Sequence, residues 1–223
     1  MLTGRRWRLR RGPEPETREL FALEGSLEEI RDRFGVVKVE AYYEPREEIE
    51  PTDSVPIIVG RRRERRLLDA RWGLFPFWAK DSVHADLHGL TGKPEFGRLI
   101  RKQRCIVPGT ALATLTEDGR FRRVVRLAPR EGGVFGMAGL YEEFRSPSGR
   151  LHRAFTIVTV DGRGELGSLR ARMPLLLGED GAELWLDPGR KMDGAWPDIF
   201  HLPDRERWVA RTDVHRLERA APG

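Results

Sequence analysis

The stretch "RCIVPGTALATL", residues 104–115, decides how this chain is read. Its first half is a run of buried-type residues carrying the only cysteine. A Pro-Gly pair breaks it, and a second apolar run follows. It therefore reads as strand, turn, strand. Outward from it the pattern stays mostly strand: "RRVVRLA", "VFGMAGLYEEF" and "RAFTIVTV" are separated by the turn-type segments "EDG", "REGG" and "SPSG". "MPLLL" adds a short apolar run, and "AELWL" suits helix or strand equally.

Upstream, "VPIIVG" (55–60) and "RLLDARWGLF" (66–75) read as strands, with the solvated charge run "RRRERR" beside them. Two helices are legible. Ser26 caps the first, Glu29 holds the capping-box position, Leu27, Ile30 and Phe34 fall on one face, and Gly35 ends it. The second lies in "PEFGRLIRKQ", where Phe96, Leu99 and Ile100 share a side. No βαβ alternation and no repeat is present. These elements predict a single α+β domain on a folded antiparallel sheet, with residues 1–17 as a flexible basic arm and 18–223 as the domain. In the arm, arginines surround Trp7. Gly162–Gly167, "GRGELG", reads as a turn rather than a phosphate loop, because no helix pattern follows it.

The 223 residues suffice for one domain with a true core. Only five residues are lysine, so arginine supplies 40 − 5 = 35 of the basic side chains. The net charge of +5 permits a polyanionic partner without specifying one. One cysteine excludes an internal disulfide, and no apolar run reaches the roughly 18 residues of a membrane helix. No secretory h-region follows the basic start, so a cytoplasmic location without membrane attachment is expected. Phosphate-binding glycine loops, HExxH, CxxC and G-x-S-x-G are all absent, and no cofactor is expected.

Taken in order, "EIEPTDSVPII" (48–58), "RWGLFPFWAKD" (71–81), "RCIVPG" (104–109), "MAGLYEEF" (137–144) with "FTIVTV" (155–160), and "RARMPLLL" (170–177) resemble the SOS-response-associated peptidase family. The resemblance spans about Leu20 to Pro188. It implies a single compact α+β domain with a barrel-like, mostly antiparallel sheet and a few short helices. It also implies a DNA-damage role: an N-terminal cysteine reacts with the aldehyde of an abasic site in single-stranded DNA, its amine and thiol closing a thiazolidine, while an asparagine, a glutamate and a histidine line the pocket.

Matched residue by residue, that pocket is substituted throughout. Arg18, in "RELF", stands at the cysteine and lies inside the chain, without a free amine. His84 stands at the asparagine, Thr114 at the glutamate and Arg170 at the histidine. A hydroxyl does not act as a carboxylate acid/base near neutral pH, and a guanidinium does not shuttle protons. Asp86 falls where an arginine would hold phosphate, which disfavours a phosphate there. The expectation is a pseudoenzyme that binds single-stranded or damaged DNA non-covalently. The DNA contacts expected are Pro51 (the wedge proline), Arg71, Phe77, Trp78, Lys80 and Arg172, with the arginines near 61–66 adding phosphate contacts; Trp72 and Phe75 are expected in the core.

Two alternatives stay open. His84, Asp86 and His88 alternate, so on a strand they would face one side and offer a metal site or an acid/base site, with Arg170 clamping an anion. The fold also serves as a protein-interaction platform in principle. Cys105 is expected to be a buried structural residue, since neighbours on a strand point to opposite faces and Arg104 is then directed away from it.

Overall fold

A computed structural model describes residues 16–60, 64–75, 82–90, 92–118, 120–162, 164–190, 200–204 and 206–216. In chain order the elements are β1 (Glu16–Leu23), α1 (Leu27–Phe34), β2 (Lys38–Val39), β3 (Arg46–Ile49), β4 (Ser54–Val59), β5 (Arg66–Trp72), β6 (His84–Asp86), a 3₁₀ turn (Leu87–Gly89), α2 (Pro94–Lys102), β7 (Arg104–Gly109) and β8 (Ala111–Glu117). There follow β9 (Phe121–Pro129), β10 (Phe135–Arg145), β11 (Leu151–Asp161), α3 (Gly164–Leu169), β12 (Arg172–Pro174), β13 (Leu176–Leu177), α4 (Glu179–Leu186), β14 (Phe200–His201) and β15 (Trp208–Arg216).

The strands form two sheets. Five make an antiparallel sheet in the order β15-β9-β8-β1-β3. In the larger sheet β5 pairs β4, β4 pairs β7, β7 pairs β10, β10 pairs β11, and β11 returns to β5 as a parallel neighbour. That ring closes a five-stranded barrel within the expected α+β architecture, and closure removes the open edges of those strands. The core lies between barrel and sheet: Phe21, Leu112 and Leu127 from the sheet meet Trp72, Ile57, Ile106 and Phe155 from the barrel, all buried.

Local chemistry explains the elements. Ser26 Oγ accepts from the Glu29 amide at 3.1 Å, Glu29 Oε2 accepts from the Ser26 amide at 2.6 Å, and Gly35 closes α1 at φ 60°. The "RCIVPGTALATL" stretch is β7 and β8, one strand in each sheet. Cys105 is buried and lies directly opposite Gly139 of β10. A Cβ on Gly139 would sit 2.8 Å from Cys105 Sγ and 2.9 Å from Val107 Cγ2. The small thiol and the missing side chain therefore fit one another. Burial raises the Cys105 thiol well above its ordinary pKa, so it stays protonated. Arg104 turns to the carbonyls of Asp187 and Arg190 at the end of α4, with its guanidinium over Trp185.

Some expectations are corrected. "GRGELG" opens a short helix, α3, where the tertiary fold overrides a weak local pattern. "AELWL", left open between helix and strand, is helical, with Trp185 and Leu186 buried and Trp185 Nε1 donating to the Cys105 carbonyl on β7. Phe75 is 63% exposed rather than in the core, since β5 ends at Trp72 and the chain turns outward at Gly73. Arg65 is buried and donates to the Phe34 carbonyl at 2.7 Å, so it is occupied inside the fold rather than presented to phosphate. The rest of the 61–63 run, most of the arm and Trp7 lie outside the described residues; Glu16 and Thr17 already belong to β1.

Gly139→Ala is expected to lower stability by about 1–3 kcal/mol, because the added methyl overlaps both Cys105 and Val107. Urea denaturation of the variant checks this.

Candidate functional site

The candidate site lies at the seam between the two sheets. Strands β1 and β8 supply one wall; β6, β11 and β12 supply the other. Alternation along β1 decides which side chains enter. Glu19 and Phe21 face the seam, while Arg18 and Leu20 face the opposite side.

Arg18 consequently points away from the pocket. Its Nη1 donates to Glu50 Oε1 at 2.8 Å, and Nη2 lies 3.5 Å from Glu117 Oε1. Arg122 bridges Glu48 and Glu117 nearby. These ion pairs flank a second small core of Leu20, Ala113, Leu115 and Val124, their aliphatic stems covering apolar surface as long charged side chains do.

Glu19, which the sequence reading passed over, is the centre of the site. It lies opposite Thr114, the buried threonine at the expected glutamate position. Its Oε1 accepts from the Arg172 amide at 2.8 Å, and its Oε2 lies 3.2 Å from His84 Nε2 and 3.7 Å from Arg170 Nη2. The signal was present: one acidic residue immediately before the apolar run "LFAL", on the parity of Phe21.

Arg170 is only 3% exposed. Its Nη1 donates to the carbonyls of Leu20 (2.8 Å) and Ala113 (2.7 Å), and its Nε to Arg172 O (2.8 Å). A bidentate anion clamp is therefore not available: Nε and Nη1 are spent on internal carbonyls, and only Nη2, 3.7 Å from Glu19 Oε2, makes no hydrogen bond. Burial pushes its pKa down to about 10, against the pull of Glu19, so it remains a cation at neutral pH.

His84 stands on Trp72 in a T-shaped contact at 5.7 Å; Trp72 in turn packs on Phe21 and stacks on Phe155. Burial is the main force on His84 and lowers its pKa, with Glu19 opposing. Neutral His84 offers its Nε2 hydrogen to Glu19, and Nδ1 is then a buried lone pair without a partner. For Glu19, burial alone raises the pKa, but the His84 hydrogen bond, the Arg170 charge and the Arg172 amide outweigh it, leaving the carboxyl below its ordinary value.

The proposed metal grouping is not assembled. β6 ends at Asp86, and His88 is exposed in the 3₁₀ turn that follows. Asp86 instead faces Arg172 Nη1 at 3.9 Å, and Arg172 also binds Asp161 at 2.9 Å. Among the described residues no group of three or more His, Cys, Asp or Glu could hold a metal ion.

Of the expected DNA contacts, Phe77, Trp78 and Lys80 lie outside the described residues. Arg71 and Trp72 end β5. Pro51 sits in the turn that faces them: the Thr52 amide donates to Trp72 O, and the Trp72 amide to Asp53 O, both at 2.8 Å. Thr52 holds φ 83°, which a β-branched residue rarely adopts. Asp53 Oδ2 pins the turn by accepting from Arg46 Nη2 (2.6 Å) and the Glu50 amide (2.9 Å). These bonds tie the turn to the end of β5.

The sequence profile of the SOS response associated peptidase (SRAP) family matches residues 20–216. The chain belongs to the SRAP family. Abasic site processing protein YoaM of Bacillus subtilis is 28% identical over 177 residues, covering 75% of this chain and 78% of YoaM. Chicken abasic site processing protein HMCES is 25% identical, covering 66% and 55%. Crystal structures of a protein from Bacteroides thetaiotaomicron (TM-score 0.66, 20% identity, 90% and 92% covered) and one from Bordetella bronchiseptica (TM-score 0.66, 19% identity, 88% and 99% covered) share the fold. Within this SRAP domain no helix of the described residues is long and apolar enough to cross a membrane.

Both Glu19 and His84 bind fewer protons folded than unfolded over part of the acid range, so stability rises with pH there. As pH falls below His84's ordinary 6.5, the unfolded chain protonates first and stability declines. Glu19's contribution, present above 4.5, is lost as pH falls through its lowered folded value. His84→Gln is expected to abolish the upper segment of that decline in melting temperature and to keep the lower one. Arg170→Ala leaves three carbonyls and the buried Glu19 charge unpaired; an expected loss of about 3–5 kcal/mol in urea denaturation checks the clamp.

Proposed function

We propose that this SRAP protein binds single-stranded or abasic-site DNA without bonding to it covalently, in a DNA-damage (SOS) response. One observation carries this: the pocket is occupied by an internal ion-paired cluster, Glu19–His84–Arg170, instead of a nucleophile with its acid and base. Thiazolidine formation requires a thiolate and a free amine on one residue. At the corresponding position Arg18 offers an in-chain amide and a side chain turned to Glu50. Cys105 is buried in the barrel with its thiol protonated. Thr114 supplies no carboxylate, and Arg170 stays charged. Glu19 returns a carboxylate to the pocket, but Arg170 and the Arg172 amide hold it as an anion.

Family membership supports DNA as partner, as do the names of the curated relatives. In this reading the DNA contacts among the described residues are Pro51, on its turn, and Arg71, near the end of β5, with Phe77, Trp78 and Lys80 following in sequence.

A second reading rests on the buried, unpartnered His84 Nδ1, with Glu19 behind Nε2. A carboxylate-oriented imidazole is the arrangement of a general base. Chemical change in abasic DNA that disappears in His84→Gln would support this reading over simple binding.

The direct test is incubation with single-stranded DNA bearing an abasic site. The expected outcome is a salt-sensitive shift in a native gel and no band surviving denaturation. A denaturation-resistant adduct overturns the non-covalent reading, and absence of any native shift at low salt overturns the DNA reading.

A further inference from the structure

Away from the seam, the β10–β11 hairpin carries a row of rings. Phe144 and His152 are cross-strand partners and stack at 5.3 Å with planes 14° apart. Phe75 leans on Phe144 at 5.8 Å. Phe75 is 63% exposed and Phe144 40%, so the row presents aromatic surface to solvent where a soluble protein would place polar side chains. Neither ring is needed to fill the core.

The charges beside the row are cationic. Arg145 and Arg150 flank the hairpin tip and are exposed. Arg145 donates to the Gly149 carbonyl, and no carboxylate partner is found for Arg150 among the described residues. The two nearby acids are engaged: Glu142 accepts from the Phe75 amide at 2.6 Å, and Glu143 pairs with Arg153 at 2.7 Å. Exposed aromatic rings beside guanidinium groups that no carboxylate among the described residues neutralises match bases and phosphates respectively.

We infer that Phe75, Phe144 and His152 form a stacking platform for undamaged bases of single-stranded DNA, with Arg145 and Arg150 on the phosphates. This deepens the DNA reading above and rests on it. Placement supports it: Phe75 lies three residues beyond Trp72, whose backbone is bonded to the Pro51 turn, and Phe144 and His152 continue from Phe75 through ring contacts, so a strand lying over that turn would reach the platform with its flanking bases.

Fluorescence anisotropy with a short single-stranded oligonucleotide at low salt tests the platform on the full chain. Phe144→Ala and Phe75→Ala are each expected to weaken binding about tenfold, Phe144→Trp to retain it, and Arg150→Glu to weaken it while reducing its salt dependence. An oligonucleotide whose bases are removed throughout is expected to be insensitive to Phe144→Ala, which separates stacking from a folding defect; an unchanged melting temperature gives the same control. If the unaltered protein binds but both alanine variants bind within about twofold of it, the platform is wrong and the DNA reading stands. If the unaltered protein does not bind, the DNA reading fails and takes the platform with it.

Discussion

The guanidinium of Arg170 joins what the chain would otherwise leave apart. It donates to carbonyls on β1 and β8 in the five-stranded sheet and to Arg172 O on β12 of the barrel sheet, and it faces Glu19 across the seam. A buried cation needs this many partners, because each unmatched donor or charge in a water-poor interior is costly. Fixing Arg170 therefore fixes the separation of the two sheets and the rotamer of Glu19. Through Glu19 it also fixes the orientation of His84. The site is a structural joint before it is anything else.

The joint stands beside the barrel core rather than within it. The barrel is closed by β5, β4, β7, β10 and β11, whose core residues are independent of the polar cluster. Trp72 sits between the two, packed on Phe21 and Phe155 on one side and touching His84 on the other. In the cross-strand pair Glu19–Thr114 the carboxylate stands on β1, where it faces the permanent cation of Arg170 and an imidazole whose pKa burial lowers.

The legible parts of the sequence were those set by local chemistry. The Ser26–Glu29 capping box, the α2 face and the strand runs on either side of Pro108–Gly109 depend on neighbours within a few residues, so their patterns survive in one dimension. Cys105 was legible too, as a small side chain in an apolar strand. Phe75 was misread because apolar character says nothing about where a strand ends, and only the turn at Gly73 sends it outward. Arg65 was misread for a related reason: an arginine in a charge-rich segment looks solvated, and its burial depends on the Phe34 carbonyl far away in the chain. Arg170 was placed in the pocket, but its carbonyl partners on β1 and β8 were not legible.

By itself the sequence determined the family, the α+β class, the first two helices and the apolar strand runs around Pro108–Gly109, and it placed Arg18, His84, Thr114 and Arg170 at the positions the resemblance singles out. Those are properties of residue identity and spacing. Tertiary structure alone decided that Arg18 turns out of the pocket, that Glu19 takes its place, that Arg170 clamps backbone rather than ligand, and that His88 stands apart from His84 and Asp86. Each of these depends on strand parity and on cross-strand register, which bring Leu20, Ala113 and Arg170 within hydrogen-bonding distance although up to 150 positions separate them.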